Sequence, residues 1–455
     1  MKKFLTVFAA LAILVSTALS QTSDAALRRA MRLDADQRDS GGKLPTLEAS
    51  EHISRAETYM ANRMFPQARE HWQKVLENYP TDAGIPKAYF GTARSYMWER
   101  QYDKAVSWFE KLNGDTSKDG REGLAFKGAS LVRLGKNLEA AKVYEQYTVA
   151  FPQGERIESA HLNLIDAYRE AGKYDQAEQW VDRTTAKFAG KSAEVNALHA
   201  KLRMEIHRER WNDAVAAADA MLGKSFAGTM ASRDEVVFLK SYALERSSRK
   251  QQSMDSYASI PNALSSYYGG QASDRLAKNG AKFHVAGPPS SKQIADSPLM
   301  FRESLLASGK KFKIDPRFLL AIMKQESSFR ANAKSPAGAR GLLQLVYDTA
   351  IKYKDVAGYP GLQPDDLYTP ATNIAIGAAY LSDLKSQFDG LYEAMAASYN
   401  GGEDNATRWL NRSKPKDPGI FVSEVGFSES KNYVFKVMAN YRIYRELYTE
   451  DLRRK

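Results

Sequence analysis

Between about residues 51 and 260, hydrophobic and polar positions recur with a period that fits paired helices. One small residue per unit fixes the register, in the order Ala68, Ala105, Ala140, Ala177 and Ala214. These alanines lie 35 to 37 residues apart, and most have bulky neighbours three positions before and four after, such as Phe65 and Trp72. Positions three or four apart share one face of a helix. The pattern therefore predicts helix-turn-helix units in which a small residue lets two helices approach closely.

A single helix pair cannot bury its own apolar stripe, so the units are expected to stack into an α-solenoid. Five units are clear, and a sixth around Ser253 and Tyr257 is degenerate. The period and the residue pattern resemble tetratricopeptide repeats. Core packing accounts for the aromatic positions, and a concave face that binds a protein or a glycan stays open as a second interpretation.

The segments flanking the repeats set the predicted domain boundaries. Residues 21–50 are polar, contain Gly41-Gly42 and are expected to form a flexible leader. The repeats are assigned to 51–285, because Gly287-Pro288-Pro289 breaks the helical pattern. Residues 286–455 are expected to form a second helical domain, so the predicted fold class is all-α.

One predicted helix of this second domain places a carboxyl group among apolar residues. Asp315-Pro316 is a strong helix start, since an N-cap acceptor precedes a proline in the first turn. The apolar stripe runs through Leu319, Ile322 and Met323, and its next position is Glu326. Burial disfavours the charged form, so Glu326 is expected to have a raised pKa and to hold a proton that it can donate. The alternative is a structural glutamate in an ion pair.

Two later segments offer ligand-binding groups near turns. The loop from Ser335 to Gly341 is rich in small residues, which permits close approach of backbone to a ligand, and Gln344 follows it. Tyr399-Asn400 precedes two glycines at a predicted helix end. Taken singly, each feature is also typical of an ordinary helix stop or of packing.

In combination, five motifs resemble the soluble lytic transglycosylases over about residues 296–450. The motifs, in chain order, are Glu326-Ser327-Ser328-Phe329, Ser335 to Gln344, Asn373 to Leu381, Tyr399 to Gly402, and Phe427 to Val434. The resemblance implies a goose-type lysozyme-like fold with Glu326 as the sole catalytic acid/base. It also implies a sugar-binding set consisting of Ser335, Gln344, Val346, Tyr399, Asn400 and Glu429.

Within this set, the resemblance places Glu429 near the floor of the groove beside Tyr399. Two positions depart from the family pattern. Val346-Tyr347 stands where Met-Pro is usual, and Ser430 replaces a common threonine. The shorter Val346 side chain puts the affinity of one sugar subsite in doubt, more than the chemistry.

The N-terminus and the composition predict the compartment. Lys2 and Lys3 precede the apolar run Phe4–Val15, and Ala18-Leu19-Ser20 provides small residues, so residues 1–20 are expected to be a cleaved secretory signal. The run is shorter than the ~20 residues of a membrane span, although an uncleaved anchor is the alternative. The predicted location is the periplasm, with no transmembrane span after cleavage. The sequence has no cysteine, which excludes disulfides and lipoprotein attachment.

Charge and residue types exclude several other functions. The net charge is +11, but the basic residues are scattered, and export argues against a nucleic-acid partner. No histidine follows His284, so neither a zinc site nor a nucleophile-histidine triad is supported in the second domain. A Gly-rich phosphate loop is also missing from the sequence, and no metal or cofactor is predicted.

The predicted function is cleavage of peptidoglycan glycan strands with formation of 1,6-anhydro-muramic ends. A lysozyme-like hydrolase of the same bond and a non-enzymatic peptidoglycan-binding scaffold are the alternatives. The peptidoglycan strand is the expected partner, and the repeats leave a cell-wall protein partner open. A fragment of residues 290–455 is expected to retain the reaction type.

Overall fold

The computed structural model describes residues 25–280 and 286–455. The predicted signal peptide 1–20 and residue 285 at the predicted domain boundary lie outside the described residues. Within the described ranges the chain is helical and has no strand; its isolated bridges include Arg340 to Leu345 and Tyr448 to Arg454. The predicted all-α fold class is confirmed.

The described ranges contain twenty-three α-helices and one short 3-10 helix. The first thirteen are α1 (25–37), α2 (Ala49–Ala61), α3 (Phe65–Asn78), α4 (Ile85–Trp98), α5 (Tyr102–Glu110), α6 (Lys118–Arg133), α7 (Asn137–Ala150), α8 (Ile157–Glu170), α9 (Tyr174–Lys187), α10 (Ser192–His207), α11 (Trp211–Leu222), α12 (Arg233–Arg246) and α13 (Lys250–Ala258). The others are α14 (Tyr267–Lys278), α15 (Ser291–Ala295), α16 (Arg302–Phe312), α17 (Pro316–Glu326), α18 (Tyr347–Ala357), the 3-10 helix Pro364–Tyr368, α19 (Pro370–Gln387), α20 (Tyr392–Gly401), α21 (Glu403–Arg412), α22 (Pro418–Glu424) and α23 (Ser428–Leu447).

The chain divides into two compact units. The first unit extends to Ala167 and includes Lys334–Ala339, and the second unit contains Tyr168–Ala333 and Arg340–Lys455. The predicted boundary at residues 285 and 286 does not separate these units. The later repeats belong to the same body as the C-terminal helices.

The small residues that set the repeat register are buried as predicted. Ala68, Ala105, Ala140, Ala177 and Ala214 are each 0% exposed. The second helix of one repeat meets the first helix of the next at equally small residues: a Cβ on Gly91 in α4 would lie only 2.5 Å from the Trp72 indole of α3. Small residues therefore permit close helix contact both within and between repeats.

The expectation of a flexible leader is wrong for residues 25–37, which form α1. Asp34 of this helix is buried, and its carboxylate accepts hydrogen bonds from Arg55 (2.6 Å) and Tyr59 (2.5 Å). The ring of His71 also lies 3.0 Å from the same carboxylate. These bonds anchor α1 to the first repeat, because the buried charge would be costly without its partners.

The second unit has a continuous core that joins the late repeats to the C-terminal helices. Its buried apolar side chains include Leu202, Phe238, Ile322 and Val434. Buried ion pairs add to this core, and the carboxylate of Glu424 in α22 lies at the centre of one group. Its three cationic partners are Arg169 at 2.8 Å, Arg203 at 2.6 Å and Arg412 at 3.2 Å.

A second group of buried charges anchors α23 to the repeats. Lys431 of α23 donates to Glu235 of α12 at 2.8 Å, and both side chains are almost fully buried. His199 of α10 lies 2.8 Å from the same carboxylate. Helix α23, which carries the predicted site residue Glu429, is therefore held directly by the repeat helices.

Candidate active site

Glu326 is the last residue of α17, a helix whose start is fixed as the sequence predicts. The Asp315 carboxylate caps α17 by accepting from the Arg317 backbone N–H at 2.9 Å, and Pro316 occupies the first turn. The helix packs against α23, and its Phe318–Met323 segment is fully buried. Glu326 therefore projects from the end of a rigid helix at the edge of the core.

The Glu326 carboxyl is held in a site that favours its protonated form. Burial raises the pKa of Glu326 to about 7, although a hydrogen bond from Tyr433 opposes the shift. The Tyr433 hydroxyl donates to Oε1 of Glu326 at 2.6 Å. The alternative of an ion-paired glutamate does not apply within the described residues, where the partner of Glu326 is a neutral hydroxyl. The raised pKa predicted from the apolar stripe is confirmed.

Tyr399 belongs to the same cluster of groups. Its hydroxyl donates to the Leu343 carbonyl at 2.7 Å, and its ring packs against Tyr380 at a centroid separation of 5.3 Å. Burial, followed by the nearby Glu326 charge, raises the pKa of Tyr399 well above its usual value. Tyr433 has a similarly raised pKa, caused by burial and then by the same Glu326 charge. Both phenols stay neutral at any physiological pH.

Asn400 lies next to Tyr399 at the end of α20 and is exposed. Its Oδ1 accepts a hydrogen bond from the Ser430 hydroxyl of α23 at 2.7 Å. This bond fixes the orientation of the amide and leaves its N–H₂ group to donate to a ligand. The serine that departs from the family pattern can thus still orient Asn400.

Gln344 lies on a loop whose conformation is set by Asn373, a buried residue of α19. The Asn373 side chain accepts from the Leu343 N–H at 2.8 Å and donates to the carbonyls of Arg340 (3.0 Å) and Leu367 (2.8 Å). Gly341 fits there because its φ is +78° and a Cβ would lie 2.1 Å from the Leu367 carbonyl oxygen. Asn373 is thus a positioning residue to which the sequence analysis gave no role.

The Gln344 side chain folds back onto its own loop. Its amide nitrogen donates to the carbonyls of Gly341 at 2.8 Å and Ala333 at 3.1 Å, and its φ is +46°. Since these bonds use the amide hydrogens, only the amide oxygen is suited to accept a hydrogen bond from a sugar.

Ser335 and Val346 occupy turn positions. The Ser335 hydroxyl accepts from the Ala339 N–H at 3.1 Å, and the Ser335 N–H donates to the Ala339 carbonyl at 2.9 Å, which closes the small-residue loop. Val346 is the N-cap of α18 and is partly exposed. Their predicted roles in sugar binding stay predictions.

The predicted floor position of Glu429 is wrong. Glu429 is exposed in the first turn of α23. The side chain of α23 that reaches Glu326 is Tyr433, four residues further along, which is not among the site residues predicted from the sequence. An aromatic residue on a helix usually packs in the core. The one signal in the sequence that distinguishes Tyr433 from a packing residue is its hydroxyl, which needs a hydrogen-bond partner when it is buried.

The described residues contain no cluster of histidine, aspartate and glutamate suited to holding a metal ion. None of the described helices combines the length and the apolar character that crossing a membrane requires.

Comparisons with known proteins divide the chain in the same way as its motifs do. Residues 303–421 match the transglycosylase SLT domain. Residues 53–118 and 131–202 match tetratricopeptide repeats. The resemblance proposed from the sequence is therefore confirmed at the level of domains: tetratricopeptide repeats precede an SLT domain.

Curated relatives match the C-terminal part of the chain. The soluble lytic murein transglycosylase of Escherichia coli (strain K12) is 37% identical over 142 residues, which are 30% of this chain and 21% of that protein. The membrane-bound lytic murein transglycosylase C of Salmonella arizonae is 34% identical over 161 residues, which are 30% of this chain and 44% of that protein. The chain thus spans less than half the length of these relatives.

Solved structures share the fold over a much longer range. The lytic transglycosylase Slt from Pseudomonas aeruginosa, solved as an inactive mutant, has a TM-score of 0.53 and 17% identity, covering 88% of this chain and 73% of that chain. The 70-kDa soluble lytic transglycosylase from Escherichia coli has a TM-score of 0.51 and 18% identity, covering 94% and 85%. These likenesses show a common fold.

Proposed function

We propose that this chain, which joins tetratricopeptide repeats to an SLT domain, is an exported lytic transglycosylase acting on the MurNAc-GlcNAc β-1,4 bond of peptidoglycan. Residues 1–20 act as its secretory signal, and the periplasm is its location. The observation that carries the proposal is the Glu326 carboxyl, protonated near neutral pH by burial and oriented by Tyr433. Such a group is equipped to act as a general acid.

In the first step, neutral Glu326 gives its proton to the glycosidic oxygen. The carbonyl oxygen of the 2-acetamido group of the same muramic ring attacks the anomeric carbon, and the bond to the leaving sugar breaks. Substrate assistance of this kind replaces the second carboxylate that most glycosidases use. The Tyr433 hydroxyl stabilises the Glu326 anion that this step creates, because it already donates to Oε1.

In the second step, the Glu326 anion accepts the proton of the 6-hydroxyl of the muramic ring. The 6-oxygen attacks the anomeric carbon and displaces the acetamido oxygen. A 1,6-anhydro bond forms, Glu326 is again neutral, and no water is consumed. Exclusion of water from the closed site favours this ring closure over hydrolysis.

The residues around Glu326 hold the glycan in the geometry that both steps need. The Asn400 amide hydrogens and the Gln344 amide oxygen bind sugar hydroxyl and acetamido groups, and Val346 lines the groove. Tyr399 positions the loop through the Leu343 carbonyl. Glu429, which is exposed, contacts substrate only at the rim of the groove.

Mass spectrometry of the products released from purified sacculi tests the proposal. We expect wild-type protein to release fragments with 1,6-anhydro ends and no oxygen from heavy-oxygen water. Glu326→Gln keeps the size of the side chain but cannot donate a proton, so its rate should fall by ~10² to 10⁴. Glu303→Gln makes the same chemical change at an exposed position of α16 and should leave the rate unchanged.

Other outcomes identify the alternatives. Reducing muramic ends labelled with heavy oxygen would make the protein a lysozyme-like hydrolase in which Glu326 keeps its role. Binding of sacculi without any cleavage by the wild-type protein would identify a non-enzymatic scaffold. Cleavage by Glu326→Gln at the wild-type rate would show that another group is the acid.

A further inference from the structure

The second unit contains a cavity of about 370 Å³ that none of the candidate active-site residues lines. Its walls come from α14, from the first turn of α20 and from the second half of α23. Tyr399 and Asn400 lie at the other end of α20, and Tyr433 lies in the first half of α23. The cavity is therefore separate from the Glu326 site, although it shares two helices with it.

The inner wall of this cavity carries Glu393, which is only 5% exposed. Its Oε1 accepts a hydrogen bond from the Tyr267 hydroxyl at 3.2 Å. Burial raises the pKa of Glu393 to about 7, with smaller contributions from the Asp417 and Asp274 charges, although hydrogen bonds from its own backbone N–H and from Tyr267 oppose the shift. The Glu393 carboxyl thus faces the cavity. Near pH 7 it is partly protonated and partly ionised.

Unlike the buried carboxyls of Glu235 and Glu424, the Glu393 carboxyl has no cationic partner among the described residues. Glu235 is paired with Lys431 at 2.8 Å, and Glu424 is paired with three arginines, including Arg203 at 2.6 Å. Buried carboxylates generally need such partners. Glu393 lines the cavity, so a cation bound there would supply the partner that Glu393 lacks.

Arg442 is the one largely buried cation in the wall of the cavity, and its hydrogen bonds go to groups other than Glu393. The Arg442 guanidinium donates to the backbone carbonyls of Ser266 (2.9 Å) and Ala263 (3.3 Å) and to the Asn262 side chain (3.3 Å). It therefore holds the loop before α14 instead of neutralising Glu393.

Aromatic rings and exposed acids complete the cavity. Tyr392 and Tyr441 line it with ring centroids 5.1 Å apart. Asp274 and Glu446 lie exposed at its edge, as does Arg445, whose guanidinium lies 5.6 Å from the Tyr441 ring centre. Ring faces and carboxyl groups together favour a cationic ligand.

We propose that this cavity binds a small molecule through a protonated primary amine, which pairs with Glu393 and packs against the tyrosine rings. The volume lies at the lower end of the range of ligand pockets, which fits a molecule of the size of an amino acid or a short diamine. An ammonium group satisfies Glu393 better than a neutral donor does, because a charge pair is stronger at a buried carboxyl than in bulk water.

Isothermal titration calorimetry on the full chain tests this site with 1,5-diaminopentane as the probe. Its uncharged counterpart, 1,5-pentanediol, has the same length and serves as the control ligand. We expect the diamine to bind at least tenfold more tightly than the diol. Because pairing ionises Glu393, binding at pH 7 should release about half a proton, and the release should disappear at pH 8.5. Buffers of different ionisation enthalpy measure this release.

Three variants distinguish the site from non-specific binding. Glu393→Gln should weaken diamine binding at least tenfold and abolish the proton release, with a thermal melt confirming that it is folded. Asp274→Asn changes an exposed group at the edge of the cavity, where the fold is not at risk, and should weaken binding severalfold. Glu303→Gln, an exposed carboxyl on α16, should bind as wild type. Equal binding of diamine and diol, or a proton release that persists in folded Glu393→Gln, would overturn the proposal. These measurements do not depend on glycan cleavage.

Discussion

The pKa of Glu326 sets the pH range in which this residue can act as an acid. Burial raises this pKa to about 7, so the fraction of protonated carboxyl falls as the pH rises through 7. We therefore expect kcat/KM for soluble glycan chains to be highest below pH 7 and to fall about tenfold for each pH unit above it. A pH profile with no decline between pH 6 and 9 would contradict the proposed role.

Replacement of Tyr433 tests whether its hydroxyl acts on the ionisation of Glu326. The Tyr433 hydroxyl lowers the pKa of Glu326 by donating to the ionised carboxylate. Tyr433→Phe should move the decline of kcat/KM to higher pH and lower kcat, because the anion between the two steps loses a donor. A purely structural role would lower the activity without moving the pH profile.

Glu326 also affects stability, because its raised pKa makes the free energy of unfolding depend on pH. The folded-state pKa is about 7 and the ordinary value is 4.5, so the folded protein holds the proton more tightly. The penalty for burying the charge is absent below pH 4.5 and complete above pH 7. Glu326→Gln should therefore unfold at a higher temperature than wild type at pH 8, by the equivalent of ~1–3 kcal/mol, and at nearly the same temperature at pH 4.5. Glu303→Gln should show no such pH-dependent difference.

At this scale, local periodicity predicts some site residues and misses others. Glu326 interrupts an apolar stripe with a carboxyl, which is visible in a single helix. The roles of Tyr433 and Asn373 depend on partners in other helices, 107 and 30 residues away in sequence. No local pattern carries that information.

The loop between α17 and α18 is held at Leu343 from two sides. Asn373 of α19 binds its N–H, and Tyr399 of α20 binds its carbonyl. The Tyr399 hydroxyl donates its hydrogen to the backbone, so it can only accept a hydrogen bond from a sugar, and sugar binding by Tyr399 stays a prediction. The position of Gln344, the next residue along the chain, depends on these two bonds.

Tyr399→Phe should therefore lower kcat substantially, by up to about 10²-fold, with a smaller change in affinity for sacculi. The reason is loss of loop geometry, and the residual product should still carry anhydro ends. Tyr444→Phe is a matched control, since the Tyr444 hydroxyl also donates to a backbone carbonyl, that of Pro298. A loss of kcat equal to that of Tyr444→Phe would show that the Tyr399 hydroxyl contributes only stability.

Element positions were predictable where apolar periodicity is strong and not where polar contacts dominate. The repeat register and the start of α17 followed from spacing and capping. Helix α1 was missed because its anchor is a buried carboxylate, Asp34, whose partner His71 is 37 residues away. A polar segment that is ordered by charge pairs with distant residues has the same composition as a flexible leader, so composition does not distinguish the two.

At the scale of the whole molecule, the predicted domain boundary lies where the repeat pattern ends along the chain, and it does not coincide with a division of the hydrophobic core. Gly287-Pro288-Pro289 does end the repeat pattern. The contacts that unite the second unit nevertheless join residues far apart in sequence, by 196 positions for Lys431 and Glu235 and by 255 for Arg169 and Glu424. Composition shifts reveal linkers, but they do not reveal which surfaces pack together.

This continuity changes the expectation for a fragment of residues 290–455. The fragment would leave Lys431 without Glu235, and it would leave Glu424 with Arg412 but without Arg169 and Arg203. Leaving one partner of a buried ion pair alone costs about 3–5 kcal/mol, and a whole domain is stable by only about 5–15 kcal/mol. We therefore expect the fragment to aggregate or to melt without cooperativity, and to lack activity for that reason.

A fragment of residues 152–455 provides the matched comparison, because it retains every one of these partners within α8 to α23. It should melt cooperatively by circular dichroism, elute as a compact species in gel filtration and release anhydro products. Its failure to fold would mean that the second unit also needs the first repeats. If instead the fragment of residues 290–455 melts cooperatively within a few degrees of the longer one, the buried charges contribute little and the predicted boundary is a true domain boundary. Desolvation decides between these outcomes, since Lys431 can remain charged without Glu235 only if water reaches it.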